Sequence, residues 1–266
     1  MTPRVLSIAG SDSGGGAGIQ ADLKTFSALR VYGMSALTAI TAQNTVGVLE
    51  VDDVAPRVVG SQIDAVMTDI PTEFVKTGML ANRGIVETVA EKMRDYGVQS
   101  LIVDPIMFSG SGTSLLGSDG IEALREHLAP LSLLITPNLD EAGELIGRKI
   151  GGLADMEDAA RRIFDLGPRN VLVKGGHLDS GPAVDVFFDG EAVVQLPAER
   201  VPTRDAHGTG CVLSAAITAY LSRGLALEAA VSSGKTFVTE AIRRSLRMGK
   251  GSGPCDPLGL EVREDT

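Results

Sequence analysis

The sequence predicts an α/β fold with a mostly parallel central sheet and helices on both faces. Short apolar runs alternate with amphipathic stretches at the spacing of βαβ units. The 266 residues are 44 % apolar and 22 % charged, ordinary for a globular chain able to bury a sizeable core. No linker or internal repeat divides it, so residues 1–266 read as a single domain. In order, strands are expected at 4–9, 35–42, 73–77, 100–104, 131–136 and 170–174. Between them, helical periodicity covers 18–29, 56–68, 83–96, 121–128, 140–146 and 156–166. The alternation then stops. Runs 183–188 and 192–196 flank Asp189-Gly190, a strong hairpin signal. Helices at about 209–222 and 227–246 follow, and the Gly-, Pro- and charge-rich stretch 247–266 predicts a loose tail.

Composition excludes several function classes. With 34 acidic and 24 basic residues the net charge is −10 and the pI near 4.8. Nucleic-acid and anionic-membrane surfaces need a basic face, so neither partner is expected. Cys211 and Cys255 are the only cysteines, too few for a disulfide framework and without a CxxC pair for zinc. A reducing, cytoplasmic setting is the expectation. The N-terminal apolar run is too short for a signal peptide or an anchor, and no stretch approaches the length of a membrane span.

Two glycine patterns mislead. Gly16-Ala17-Gly18-Ile19-Gln20-Ala21 matches the relaxed dinucleotide fingerprint, but the next strand ends in Thr41-Ala42-Gln43-Asn44 instead of a ribose-binding acid. Gly234-Lys235-Thr236 resembles a P-loop end, yet Ala229 replaces its first glycine and the segment lies within a helical pattern. The stretch DAHGTGCVLSAAI, 205–217, is different. Gly208 and Gly210 allow close backbone approach, and the first-turn N–H groups of the following helix form an anion site without any basic side chain. Cys211 falls in that first turn, where the helix field lowers a thiol pKa. A loop capped by Thr209 with a core-facing cysteine is the structural alternative.

HGTGC followed by LSAAI, together with AGSDSGGGAGIQADLKT, resembles the hydroxymethylpyrimidine and phosphomethylpyrimidine kinases of thiamine biosynthesis, in the ribokinase superfamily. The resemblance continues through TAITAQNT, VKTGML, VDPIM, TPNLDEA and VKGGH, from about Val5 to Lys235. It implies a ribokinase-like fold and ATP- and Mg²⁺-dependent phosphorylation of a pyrimidine alcohol and then of its monophosphate. It also implies a homodimer. Pyridoxal kinase of the same superfamily is the alternative activity.

Phosphoryl transfer needs an anion cradle, a metal, a basic group and a proton acceptor. Gly208, Thr209 and Gly210 are the expected cradle, and Cys211 is the expected proton acceptor where superfamily relatives generally use an aspartate. Asp104, Asn138 and Glu141 resemble the region that organises Mg-ATP, partly through water; a strand-end turn and a helix cap are their ordinary structural roles. Lys174 resembles the family's nucleotide-side lysine. Lys235 is expected to point at the phosphates, against the alternative of snorkelling to solvent. On the acceptor side, Gln43 carries the donor and acceptor that match an aminopyrimidine edge. Asp22 resembles a substrate-side carboxylate, Met79 is expected against the ring, and Gly10 is expected among the substrate-binding residues. In FSGSGTSLL, Gly110 and Thr113 stand where relatives place a lysine and an acid, so this loop is expected to close differently.

Overall fold

A computed structural model describes residues 2–110, 112–176 and 182–259. Nine strands form one sheet in the order β3-β2-β1-β4-β5-β6-β7-β8-β9. The parallel body comprises β1 (Arg4–Asp12), β2 (Tyr32–Gln43), β4 (Phe74–Thr77), β5 (Ser100–Val103), β6 (Leu134–Ile135) and β7 (Val171–Val173). At one end β8 (Ala183–Phe188) and β9 (Val193–Ala198) form the expected hairpin, antiparallel through Phe188↔Val193. At the other, β3 (Val48–Asp53) runs antiparallel to β2. The sequence reading misses β3. Its VLEVDD alternates poorly and is almost wholly exposed, as suits a charged edge strand whose formation depends on its partner.

Helices cover both faces. On one side lie α2 (Pro56–Asp69), α3 (Arg83–Asp95), α4 (Ser118–Ala123), α5 (Leu139–Ile146) and α6 (Leu153–Phe164), around a core that includes Ile8, Val75, Leu101 and Val173. On the other, α1 (Gly18–Ala28), α7 (Thr209–Ser222) and α8 (Leu227–Arg243) pack around Phe26, Ile102, Leu172 and Ile217. Buried residues occupy every side of α7, as expected of a helix lying between the sheet and a second helix. The helix expected at 121–128 begins earlier, at Ser118, and widens into a π-turn over Leu124–Leu128 before Pro130.

The expected loose tail is corrected as far as Gly259. His207 N donates to Gly253 O, Cys255 N to His207 O and Asp256 N to Ala241 O, while Gly253 N donates to buried Asp205. Cys255 itself is buried. These bonds make 253–256 a strap across the loop before α7. Composition suggested disorder because Gly and Pro serve a closely packed turn here as readily as a solvated one. Residues 260–266 of that expectation, and His177 of the VKGGH motif, lie outside the described residues.

Candidate active site

The carboxyl ends of β1, β2, β4, β5, β6 and β7 open into a cleft of about 1260 Å³. This is where open α/β sheets bind ligands. Pockets for one small ligand run to about 300–1,000 Å³, so the cleft has room for two side by side. Eleven of the thirteen residues expected at the site line this cleft, and two charged ones, Asp22 and Lys235, do not.

The Gly208–Gly210 turn expected as the anion cradle lies at the start of α7 and lines the cleft. Gly208 is the N-cap of α7 with φ of 80°, and no side chain caps that turn. Thr209 therefore does not close the helix end with its side chain, and although Thr209 N donates to Ala206 O, the start of α7, with the positive end of its dipole, borders the cleft. Glycine is required at 208 twice over. Its φ is left-handed, and a Cβ would fall 1.8 Å from Gly16 O. A Cβ on Gly210 would fall 3.2 Å from Lys174 Nζ, so the ammonium lies directly against the cradle.

Lys174, just after β7, joins two carboxylates at the cleft floor. Its Nζ is 2.7 Å from Asp104 Oδ1 and 3.8 Å from Glu141 Oε2. Asp104 also accepts from Ser214 Oγ at 3.0 Å and Thr136 Oγ1 at 3.2 Å. Burial alone would raise the Asp104 carboxyl, but Lys174, Lys76 and these bonds together hold it below the ordinary carboxylate range. Glu141 is less compensated. Burial, reinforced by the charge of Asp104, pushes it up to about 7 against the opposing pull of Lys174. Asn138 has a structural task. Its side chain accepts from Glu141 N at 2.9 Å, while Glu141 Oε2 accepts from Asn138 N at 2.7 Å, a reciprocal cap on α5. Asn138 still lines the cleft. Among the described residues, no three His, Cys, Asp or Glu side chains gather as a protein cage for a metal.

Cys211 borders the cleft in the first turn of α7, but the expected low thiol pKa is overturned. Burial pushes the thiol up to about 11, outweighing the charge of Lys76 and a backbone hydrogen bond from Gly18. The residue is 5 % exposed, so desolvation of a thiolate costs more than the helix end returns. Beneath it, Lys76 and Asp22 form a sealed ion pair. Lys76 Nζ reaches Asp22 Oδ1 at 3.0 Å and Oδ2 at 2.9 Å, and Ser7 Oγ donates to Oδ2 at 2.6 Å. Both charged side chains are fully buried. Burial works against the Lys76 ammonium, yet the Asp22 carboxylate raises its pKa well above the ordinary value. Asp22 therefore does not face the acceptor as expected. The reason is the lysine on the neighbouring strand, which holds the carboxylate below the cleft floor.

Lys235 is likewise corrected. Its Nζ lies 2.7 Å from Asp185 Oδ2, away from the cleft lining, and Asp185 Oδ1 accepts from Gly175 N at 2.9 Å. The lysine thus braces the turn after Lys174 from behind. Gln43, Met79 and Gly10 do line the cleft. A Cβ at Gly10 would lie 3.0 Å from Met79 Sδ, so the glycine makes room for the sulfur. Gly110 also lines it, in a small loop where Ser109 N donates to Thr113 O.

Sequence reasoning missed Asp12, His207 and Lys76. Asp12 accepts from Gly14, Gly16 and Ala17 N–H groups and lies 3.0 Å from His207 Nε2. Burial would raise this carboxyl, but those bonds lower it. The available signal was an acid heading a glycine run and a lysine inside an otherwise apolar strand, VKT.

The comparisons with known proteins agree with this geometry. A family model described as phosphomethylpyrimidine kinase matches residues 12–256. A hydroxymethylpyrimidine/phosphomethylpyrimidine kinase of Rhizobium meliloti is 52 % identical over 257 residues, 96 % of each chain. The crystal structure of phosphomethylpyrimidine kinase from Clostridium difficile shares 46 % identity with a TM-score of 0.80, covering 90 % of this chain and 99 % of that one. Pyridoxal kinase from Staphylococcus aureus, in complex with AMP-PCP and pyridoxal, shares 37 % identity with a TM-score of 0.91, covering 99 % and 96 %. With a match from Asp12 to Asp256 and the ribokinase-like sheet beneath it, the chain belongs to the phosphomethylpyrimidine kinase family.

Proposed function

We propose that the chain transfers the γ-phosphoryl group of ATP to 4-amino-5-hydroxymethyl-2-methylpyrimidine and then to the resulting monophosphate, in thiamine diphosphate biosynthesis. The observation that carries this reading is the uncapped Gly208–Gly210 turn facing the Lys174–Asp104 pair inside a cleft large enough for nucleotide and acceptor together. Gly208, Thr209 and Gly210 hold the transferring phosphoryl oxygens on backbone N–H groups. Lys174 offsets charge on the phosphates. Gln43 meets the amine and ring nitrogen of the acceptor, and Met79 packs on its ring beside Gly10. The transition state of such a transfer is loose, so positioning and charge stabilisation carry most of the rate.

Mg²⁺ fits this floor. Burial and the charge of Asp104 push buried Glu141 up to about 7, so a cation placed between the two carboxylates would favour its ionised form, and a hydrated magnesium ion needs only one or two carboxylates besides phosphate oxygens. When bound it would neutralise phosphate charge. Asp104 and Glu141 would hold it, with Asn138 fixing Glu141 through the α5 cap.

Cys211 is the side chain we place beside the acceptor hydroxyl. As proton acceptor it must first lose its own proton, which its pKa near 11 makes rare in the unliganded protein at neutral pH. We infer a homodimer, supported by exposed Tyr32, Ile40, Val46 and Leu49 around the β2–β3 sheet edge. A cytoplasmic location is part of this reading, supported by the two unpaired, buried cysteines. No helix among the described residues is long and apolar enough to cross a membrane.

Incubation with Mg-ATP and the hydroxymethylpyrimidine, followed by mass, tests the reading. Sequential appearance of mono- and diphosphate supports it. Phosphorylation of pyridoxal alone would replace it with the second reading, which the Staphylococcus aureus pyridoxal kinase likeness favours.

A further inference from the structure

His207 has no part in the roles assigned so far, yet it stands where three segments meet. Its Nε2 lies 3.0 Å from Asp12 Oδ2 and 3.4 Å from Gln43 Nε2, its backbone is bonded to the 253–255 strap, and its ring borders the cleft. Gly16 must lack a side chain to admit this ring, because a Cβ there would fall 2.6 Å from His207 Cδ2.

Counting protons decides what the contact does. Asp12 is held ionised by three backbone N–H groups, so it only accepts, and His207 Nε2 must carry the proton between them. A protonated Nε2 has no lone pair for the Gln43 amide nitrogen. At the other end of the amide, Thr41 Oγ1 gives its single proton to Ser11 O at 2.8 Å and has none for Gln43 Oε1, 3.1 Å away. Turning the amide over, an exchange of nearly isosteric ends, removes the donor-against-donor contact at His207 and the acceptor-against-spent-donor contact at Thr41. Nε2 then donates to Thr41 Oγ1, and Oε1 lies 3.4 Å from the His207 N–H, sharing its one proton with Asp12 as the longer arm of a three-centre bond.

We propose that His207 is a positioning residue that sets the sense of the Gln43 amide and thereby selects an amine-bearing acceptor ring. With one N–H given to Thr41 and one oxygen site turned to His207, the amide retains one N–H and one oxygen lone pair for a ligand. An exocyclic amine beside a ring nitrogen takes up both; a ring without the amine leaves the oxygen unpaired. The Asp12 carboxylate, anchored by the glycine loop at the start of α1, keeps the imidazole in the required tautomer. This inference rests on the proposed pyrimidine kinase reading.

The test compares kcat/KM for the 4-amino-5-hydroxymethylpyrimidine with that for the same ring lacking the amine, in wild type, His207→Leu, His207→Gln and Gln43→Leu. Wild type prefers the amine. His207→Leu reduces that preference about fivefold to tenfold, the scale of one or two hydrogen bonds left unmade. His207→Gln restores most of it by returning an N–H near the Nε2 position, while Gln43→Leu abolishes it. A merely structural histidine would lower kcat/KM for both rings equally and leave the ratio unchanged, which overturns the inference. If His207→Leu does not fold, loss of the preference in His207→Phe or its full retention in that variant decides the matter. Failure of wild type to phosphorylate either pyrimidine overturns the proposed function itself, and an active wild type with an unchanged ratio overturns only the role of His207.

Discussion

Two lysine–aspartate pairs lie at the carboxyl end of the same sheet, and they differ in access. Lys76–Asp22 is sealed, with both side chains fully buried and a third hydrogen bond from Ser7. Lys174–Asp104 is equally short, but its lysine is partly exposed and borders the cleft. A third pair, Lys235–Asp185, is turned away behind the β7–β8 turn. Charge type therefore says little about role. A sealed pair that does not reach the cleft serves to hold the floor together, whereas an accessible pair can exchange its partner for a phosphate.

Cys211 lies between the two worlds, bordering the cleft while feeling the charge of Lys76, and gives the largest expected effect. Cys211→Ala lowers kcat by about 10²–10⁴-fold with ATP affinity unchanged if the thiol serves as the base. In that case wild-type kcat rises with pH toward about 11, since the base acts deprotonated. Steady-state kinetics between pH 7 and 10 check both. A flat profile with near-normal turnover of Cys211→Ala would make the cysteine a packing residue of the cradle.

The sealed pair gives the next effect. Lys76→Met leaves Asp22 buried and uncompensated, and should cost about 3–5 kcal/mol of stability, whereas Lys76→Met with Asp22→Asn recovers most of it. Thermal melts of both variants measure this. Equal stability of the single and double variants would break the contrast between sealed and open pairs.

How much of this was legible in the sequence follows from the same contrast. Periodicity and turn chemistry give the βαβ body, the Asp189-Gly190 hairpin and α7 at Thr209–Ser222, because these depend on local patterning. β3 was hidden because a polar edge strand is defined by β2, not by its own residues. The glycine cradle, Gln43, Lys174 and Asp104 border the cleft as expected, each near a strand or helix end. Asp22 and Lys235 were misplaced because a sequence shows a charge but not the partner that sequesters it. Cys211 shows the limit of a helix-end argument: position gives the field, but burial, which is a property of the packed whole, decides the thiol's protonation.

Smaller again is an alkaline effect on stability. Cys211 and Cys255 titrate from a normal 9.0 in the unfolded chain, and burial pushes them up to about 11 and about 12 in the folded one. The folded state then holds more protons between these values, so the thiols' contribution to stability is constant below pH 9 and falls as pH rises through 9 to 12. Urea midpoints across that range check the sign, with Cys255→Ala expected to flatten the upper part. A stability that rose over the same range would contradict the buried state of both thiols.

The contrast between open and closed pairs is tested most directly by titrating a non-hydrolysable ATP analogue, with Mg²⁺, into wild type, Lys174→Met and Lys235→Met. Lys174→Met should weaken binding about 10- to 100-fold, the worth of a charge-assisted hydrogen bond to phosphate. Lys235→Met should change it less than about threefold, because its ammonium is committed to Asp185. An equal loss in both folded variants would mean that Lys235 reaches the nucleotide, and would contradict the division between cleft-facing and closed pairs.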